Sequence, residues 1–147
     1  MISTLRLLAR SLLFYCAITI QAYAQSYDGT YSGTIACDPI PGVTAGPLKT
    51  LFTMRVAGDV ITYEREVIRP TGEAPLGITE TGRGSITAER ELILTGTAKG
   101  RTFHSDATYR GKFTGDAIRL TGAQVWTYAE KPTPHTRPCT VELTKSK

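Results

Sequence analysis

From residue 27 onward, apolar and polar side chains alternate with a period of two over most of the chain. No stretch repeats with the 3.6-residue spacing of an amphipathic helix. Eight β-strands are predicted from this phase and from the turn residues between the runs. The first covers Tyr27 to Cys37, with Tyr27, Tyr31, Ile35 and Cys37 on one face and Asp28, Thr30, Ser32 and Thr34 on the other. The second is about Leu48 to Val56, with Phe52, Met54 and Val56 in phase, and Gly58-Asp59 turns it into the third, Val60 to Ile68, with Ile61, Tyr63 and Val67 in phase. The fourth is about Ile78 to Thr87, and the turn Ala88-Glu89-Arg90 leads to the fifth, Glu91 to Ala98, with Leu92 and Leu94 in phase. The sixth, Arg101 to Phe113, sets Phe103, Ala107, Tyr109 and Phe113 against His104, Asp106, Thr108, Arg110 and Lys112. Thr114-Gly115-Asp116 turns it into the seventh, Ala117 to Tyr128, and the eighth is Cys139 to Lys145, with Val141 and Leu143 in phase.

One-sided alternation, short turns and eight consecutive strands predict an all-β fold, a single antiparallel up-and-down barrel of about eight strands, because closure removes unpaired edges. A β-sandwich is the alternative. Four connections are short. The other three are long and rich in Pro and Gly: Asp38 to Pro47, Arg69 to Gly77 and Ala129 to Pro138. In an up-and-down barrel, odd and even connections lie at opposite ends, so these three are expected to share one rim.

The N-terminus is of another kind. Arg6 and Arg10 precede the apolar run Leu12 to Ile20, and Ala22-Tyr23-Ala24 supplies the small-x-small pattern of a cleavage site. This reads as a signal peptide over residues 1–24, with a mature domain over 25–147. The run is shorter than the roughly 20 residues that span a bilayer, so no stable membrane span is expected after cleavage. The expected location is periplasmic or secreted.

Cleavage changes the charge and the cysteines. Removing Arg6 and Arg10 from a formal charge of +4 leaves +2, with no Lys/Arg block, so nucleic acid is not an expected partner. Cys16 leaves, and Cys37 and Cys139 have one possible intramolecular pairing. Cys37 ends the first strand and Cys139 begins the last. In a closed barrel these strands are neighbours at the long-loop rim, so a bridge would lock the seam. Closing a loop of about 100 residues contributes roughly 4–5 kcal/mol in the chain-entropy model.

Candidate chemistry is sparse. His104 falls on the outward face and His135 in a Pro-rich segment, and neither has metal-ligand spacing to another His, Cys or carboxylate. No nucleophile elbow, zinc-protease motif or phosphate-cradling loop is present, so no enzyme activity, metal or cofactor is implied. One pair stands apart: Arg65 shares the inward phase of Ile61, Tyr63 and Val67, and Glu80 shares that of Ile78 and Ile86. Adjacent strands bring them together inside the barrel, either as a structural pair or as a polar handle for a ligand. Tyr31, Tyr63, Tyr109 and Trp126 are candidate interior aromatics, either filling the barrel or lining a cavity. The long-loop rim offers Asp38, Pro41, Arg69, Glu73, Lys131, His135 and Arg137 as candidate binding residues, since recognition usually sits in loops on a rigid scaffold.

With Tyr27-Asp28-Gly29-Thr30-Tyr31-Ser32-Gly33-Thr34 opening the mature chain and a lone cysteine pair near its ends, the sequence resembles uncharacterised small exported β-barrel proteins of Gram-negative bacteria. The resemblance implies no catalytic residues. The expected architecture is also similar to avidin-like and lipocalin-like barrels and to periplasmic enzyme-inhibitor barrels. The expectation is an exported, non-enzymatic binding module that contacts an unknown protein or envelope component through its rim loops, an enzyme inhibitor being one version. The alternatives are a carrier of a small apolar ligand inside the barrel and a structural envelope protein.

Overall fold

A computed structural model of the protein describes residues 27–43, 46–68 and 75–147. The expected signal peptide of residues 1–24, with Cys16, and the candidate rim residues Arg69 and Glu73 lie outside the described residues. Eight strands follow in chain order: β1 Gly29–Cys37, β2 Leu48–Ala57, β3 Val60–Ile68, β4 Pro75–Ile86, β5 Glu91–Lys99, β6 Phe103–Thr114, β7 Ala117–Tyr128 and β8 Lys131–Lys145. Each pairs antiparallel with the next, and β8 pairs with β1, so the sheet is a closed barrel.

The alternation sets which side chains fill it. In β3, Ile61, Tyr63, Arg65 and Val67 are buried while Thr62, Glu64 and Glu66 are exposed. In β6, Ala107 and Tyr109 are buried while His104, Asp106, Thr108, Arg110 and Lys112 face solvent. His104 pairs there with Asp106 at 3.1 Å, on the outer surface. The seam is as expected: Cys37 stands directly opposite Cys139 in the β1–β8 ladder and the two are bridged.

The interior is layered. Toward the end closed by the short turns lies the main apolar cluster, with Tyr31, Ile35, Phe52, Met54, Leu92, Leu94, Leu120 and Val141 at or near zero exposure. A smaller apolar cluster of Ile40, Val67, Ala98 and Trp126 occupies the long-loop end, with Leu76, Ile78, Phe103 and Tyr128 packed against it. Between them runs a band of buried polar side chains: Arg65, Glu80, Ser105, Gln124 and Arg137. Strand β3 crosses all three, from Ile61 through Arg65 to Val67. Strand β7 does the same, from Leu120 through Gln124 to Trp126.

One expectation needs correction. The segment Ala129 to Pro138 is not a rim loop. The turn between β7 and β8 is Ala129-Glu130, and the Pro-rich stretch is the first half of β8, paired with β7. Its prolines fit because β1 ends at Cys37, so residues 131–137 have a paired strand on one side only. Prolines are tolerated at such edges and at irregular register, and the β7–β8 pairing slips between Trp126 and Tyr128. The Pro138 carbonyl points to the β1 side, where it accepts from Asp38 N at 3.0 Å. In an extended strand a residue's N and C=O share a side, so the missing N–H of Pro138 also falls away from β7. Among the described residues, the long-loop end therefore carries residues 38–43, the facing ends of β3 and β4, and a β7–β8 hairpin whose last strand runs past the end of β1.

Candidate functional site

Arg65 and Glu80 are directly opposite in the β3–β4 ladder, and alternation turns both inward. Their side chains are fully buried and form an ion pair, Arg65 Nη2 to Glu80 Oε2, at 2.7 Å. Three more donors converge on the same carboxylate. The Tyr63 and Tyr109 hydroxyls donate to Oε1 at 3.0 and 3.2 Å, and Gln124 Nε2 donates to Oε2 at 3.3 Å. Both Glu80 oxygens thus accept from buried donors. Burial, and then the Glu80 charge, push both phenols well above their ordinary range, so Tyr63 and Tyr109 are neutral donors. Desolvation works against the charge on Arg65, but Glu80 more than offsets it and the guanidinium is held above its usual value.

Gln124 links this carboxylate to a second cation. Its Nε2 also donates to the Tyr109 hydroxyl at 2.8 Å, while its Oε1 accepts from Trp126 Nε1 at 3.1 Å and from Arg137 Nε and Nη2 at 2.9 and 2.7 Å. Arg137 also lies 5.1 Å over the Trp126 ring. Arg137 thus belongs to the barrel interior, at 3 % exposure, and not to the rim where its Pro-rich surroundings placed it. Burial, and then repulsion from Arg65, lower it to about 10, which leaves it charged at neutral pH.

The other candidates divide. Tyr31, Tyr63, Tyr109 and Trp126 are all interior, and Tyr31 donates to the Tyr27 carbonyl at 2.8 Å in the short-turn half, away from the polar band. Asp38, Pro41 and Lys131 are exposed at the long-loop end, and His135 is half-buried there against Tyr128. The 38–47 connection is not simply a recognition loop: Ile40, at 1 % exposure, folds back into the upper apolar cluster and plugs the barrel. Arg65 and Glu80 are joined with Tyr63, Tyr109 and Trp126 in one network that also takes in Arg137, whereas Asp38, Pro41, Lys131 and His135 stand outside it.

Sequence reasoning missed Gln124 and Ile40. Gln124 was legible, since it shares the inward phase of Ile118, Leu120 and Trp126. Ile40 carried no strand phase to mark it.

Among the described residues, buried side chains occupy the barrel interior. Near Arg137 a cavity of about 40 Å³ remains, walled by Ile40, Leu48, Ile68, Leu76, Phe103, Trp126 and Tyr128. A much larger concavity, about 910 Å³, lies on the outside across β2 to β6, lined by Thr53, Thr62, Thr81, Thr95 and Thr108 with Arg55 and Arg83. Its dished shape has a cause inside the barrel: a β-carbon at Gly82 or Gly96 would overlap the Tyr63 ring, so only glycine lets β4 and β5 settle onto it.

The chain matches no protein family and no curated protein. What the structure itself establishes is a closed barrel whose buried disulfide suits an oxidising, non-cytoplasmic compartment.

Proposed function

We propose that the protein is an exported, non-enzymatic binding module, working in the periplasm or outside the cell, that presents its long-loop end to a macromolecular partner. The observation that carries this reading is the projecting β7–β8 hairpin. Lys131, Pro132, Thr133 and Pro134 are all exposed on a strand that runs past the end of β1, held by β7 on one side. An open strand edge normally invites indiscriminate pairing, and prolines blunt it. Such an arm recognises through its side chains, and its stiffness lowers the ordering cost of binding. Inhibition of an envelope or secreted enzyme is one form this contact would take.

The carrier reading finds little support in the geometry, because about 40 Å³ of interior space stands against the roughly 300–1,000 Å³ of ordinary small-molecule sites.

The test is native mass spectrometry of the protein purified from the cells that make it, beside a variant carrying Pro132→Gly and Pro134→Gly whose melting temperature matches. The reading expects a co-purifying protein that the variant loses. A partner retained undiminished by the variant, or a small-molecule adduct in place of a protein, overturns it.

A further inference from the structure

The buried band holds two guanidinium groups and one carboxylate. Glu80 is committed to Arg65 at 2.7 Å, and its remaining contacts are neutral hydroxyls and an amide. Arg137 therefore brings one positive charge into the barrel with no acidic partner among the described residues. Its hydrogen bonds run through Nε and Nη2 to a single neutral oxygen, Gln124 Oε1. Buried charges are ordinarily paired, because an uncompensated one keeps most of its desolvation penalty.

Arg137 also lines the 40 Å³ recess at the long-loop end. Among the described residues, three other buried polar side-chain atoms have no partner: Arg65 Nε in the band, and Ser105 Oγ and His135 Nε2 close to the recess but not in its lining. In the ladder, Ser105 stands opposite Trp126 and Trp126 opposite His135, so Ser105 and His135 flank the residue whose ring walls the recess.

We infer that the recess beside Arg137 is a binding site for one carboxylate group carried on a short aliphatic chain. A water needs roughly 10–15 Å³ of such space, so the recess admits a few waters or one carboxylate head, and a short aliphatic chain attached to it would extend toward the open side of the recess. One negative charge balances the one excess positive charge. The planar guanidinium matches a carboxylate in shape and donor geometry. The walls of Ile40, Leu48, Leu76 and Phe103 accept a methyl or methylene stub and disfavour a multiply charged, strongly hydrated anion such as phosphate. This site does not depend on the hairpin's having a macromolecular partner.

Trp126 makes the test direct, because it is the only tryptophan of the chain and touches Arg137. The protein is titrated with acetate, butyrate and hexanoate, and in parallel with butyramide, which has nearly the same shape and no charge. The site predicts a saturable change in tryptophan emission with butyrate and none with butyramide. At ten times half-saturation it predicts a rise in melting temperature of about 4 °C. Arg137→Met keeps the apolar stem and removes the charge, and is expected to fold and lose the response. Equal responses to butyrate and butyramide, no response to any carboxylate, or an undiminished response in folded Arg137→Met each overturn the assignment. If the variant does not fold, the butyrate and butyramide pair on the wild-type protein decides alone.

Discussion

The two halves of this barrel are built from the same alternation and hold together in different ways. In the short-turn half, Leu92, Leu94, Leu120 and Val141 pack against Ile35, Phe52 and Met54, and each apolar contact is backed by several others. In the long-loop half, Arg65, Glu80, Gln124 and Arg137 depend on one another through specific hydrogen bonds, under a plug made from one loop residue, Ile40. The first kind of interior degrades gradually when an atom is lost. The second fails when a partner is lost, because what remains is a buried charge.

That contrast is open to direct attack. The largest effect is expected from Glu80→Gln, which removes the only acidic group of the buried band while nearly keeping its shape. Two guanidiniums then share the interior without a counter-charge, and the expected loss is about 3–5 kcal/mol by urea denaturation. A loss below about 1 kcal/mol would show that water reaches the band and would erase the distinction. Next comes Ile40→Ala, expected to cost about 2–3 kcal/mol, toward the low end for buried isoleucine because the residue sits on a connection that can shift. Amide exchange should quicken around Val67, Ala98 and Trp126 and stay slow around Leu94 and Leu120. Exchange rising evenly through the barrel would mean that the plug belongs to the common core.

Arg137→Met should change stability little or raise it by about 1 kcal/mol, since it replaces an uncompensated buried cation by an apolar chain. A marked loss would mean that the bonds to Gln124 Oε1 outweigh the burial of the charge. The smallest effect lies at the opposite end, in the turn from β4 to β5. Arg90 has a φ of 61°, a left-handed backbone that side chains other than glycine tolerate poorly. Arg90→Gly should raise stability by about 0.5–1 kcal/mol, read as a shift in the denaturation midpoint with an unchanged slope.

Most of the barrel was legible because it rests on a period of two that short turns do not disturb. The phase of Ile61, Tyr63 and Val67 carried Arg65 inward, and that of Ile78 and Ile86 carried Glu80, so the ion pair followed from counting. The same count, run backward from Cys139, Val141 and Leu143, places Arg137 inside. It was masked by Pro132, Pro134 and Pro138, which signal a loop wherever strands have neighbours on both sides. Here β1 stops early, so residues 131–137 have a paired strand on one side only. Ile40 was illegible for a different reason: a plug is defined by the shape of the opening that it fills, and no local period encodes that shape. The convergence on Gln124 likewise depends on where four strands, β4, β6, β7 and β8, bring their side chains across the barrel.

Closure of the barrel has a consequence in time. The ladder between β1 and β8 joins the first strand of the fold to the last, and its two cysteines are 102 residues apart. Every other ladder joins strands that follow directly along the chain. Hairpins of the latter kind form early and cheaply, whereas the last pairing must gather in the whole domain before it gains anything. Without the β1–β8 ladder the sheet would keep two open edges. The seam thus sets the order of events as well as the final shape: the neighbouring hairpins can begin on their own, and completion waits for the last fifteen-residue strand.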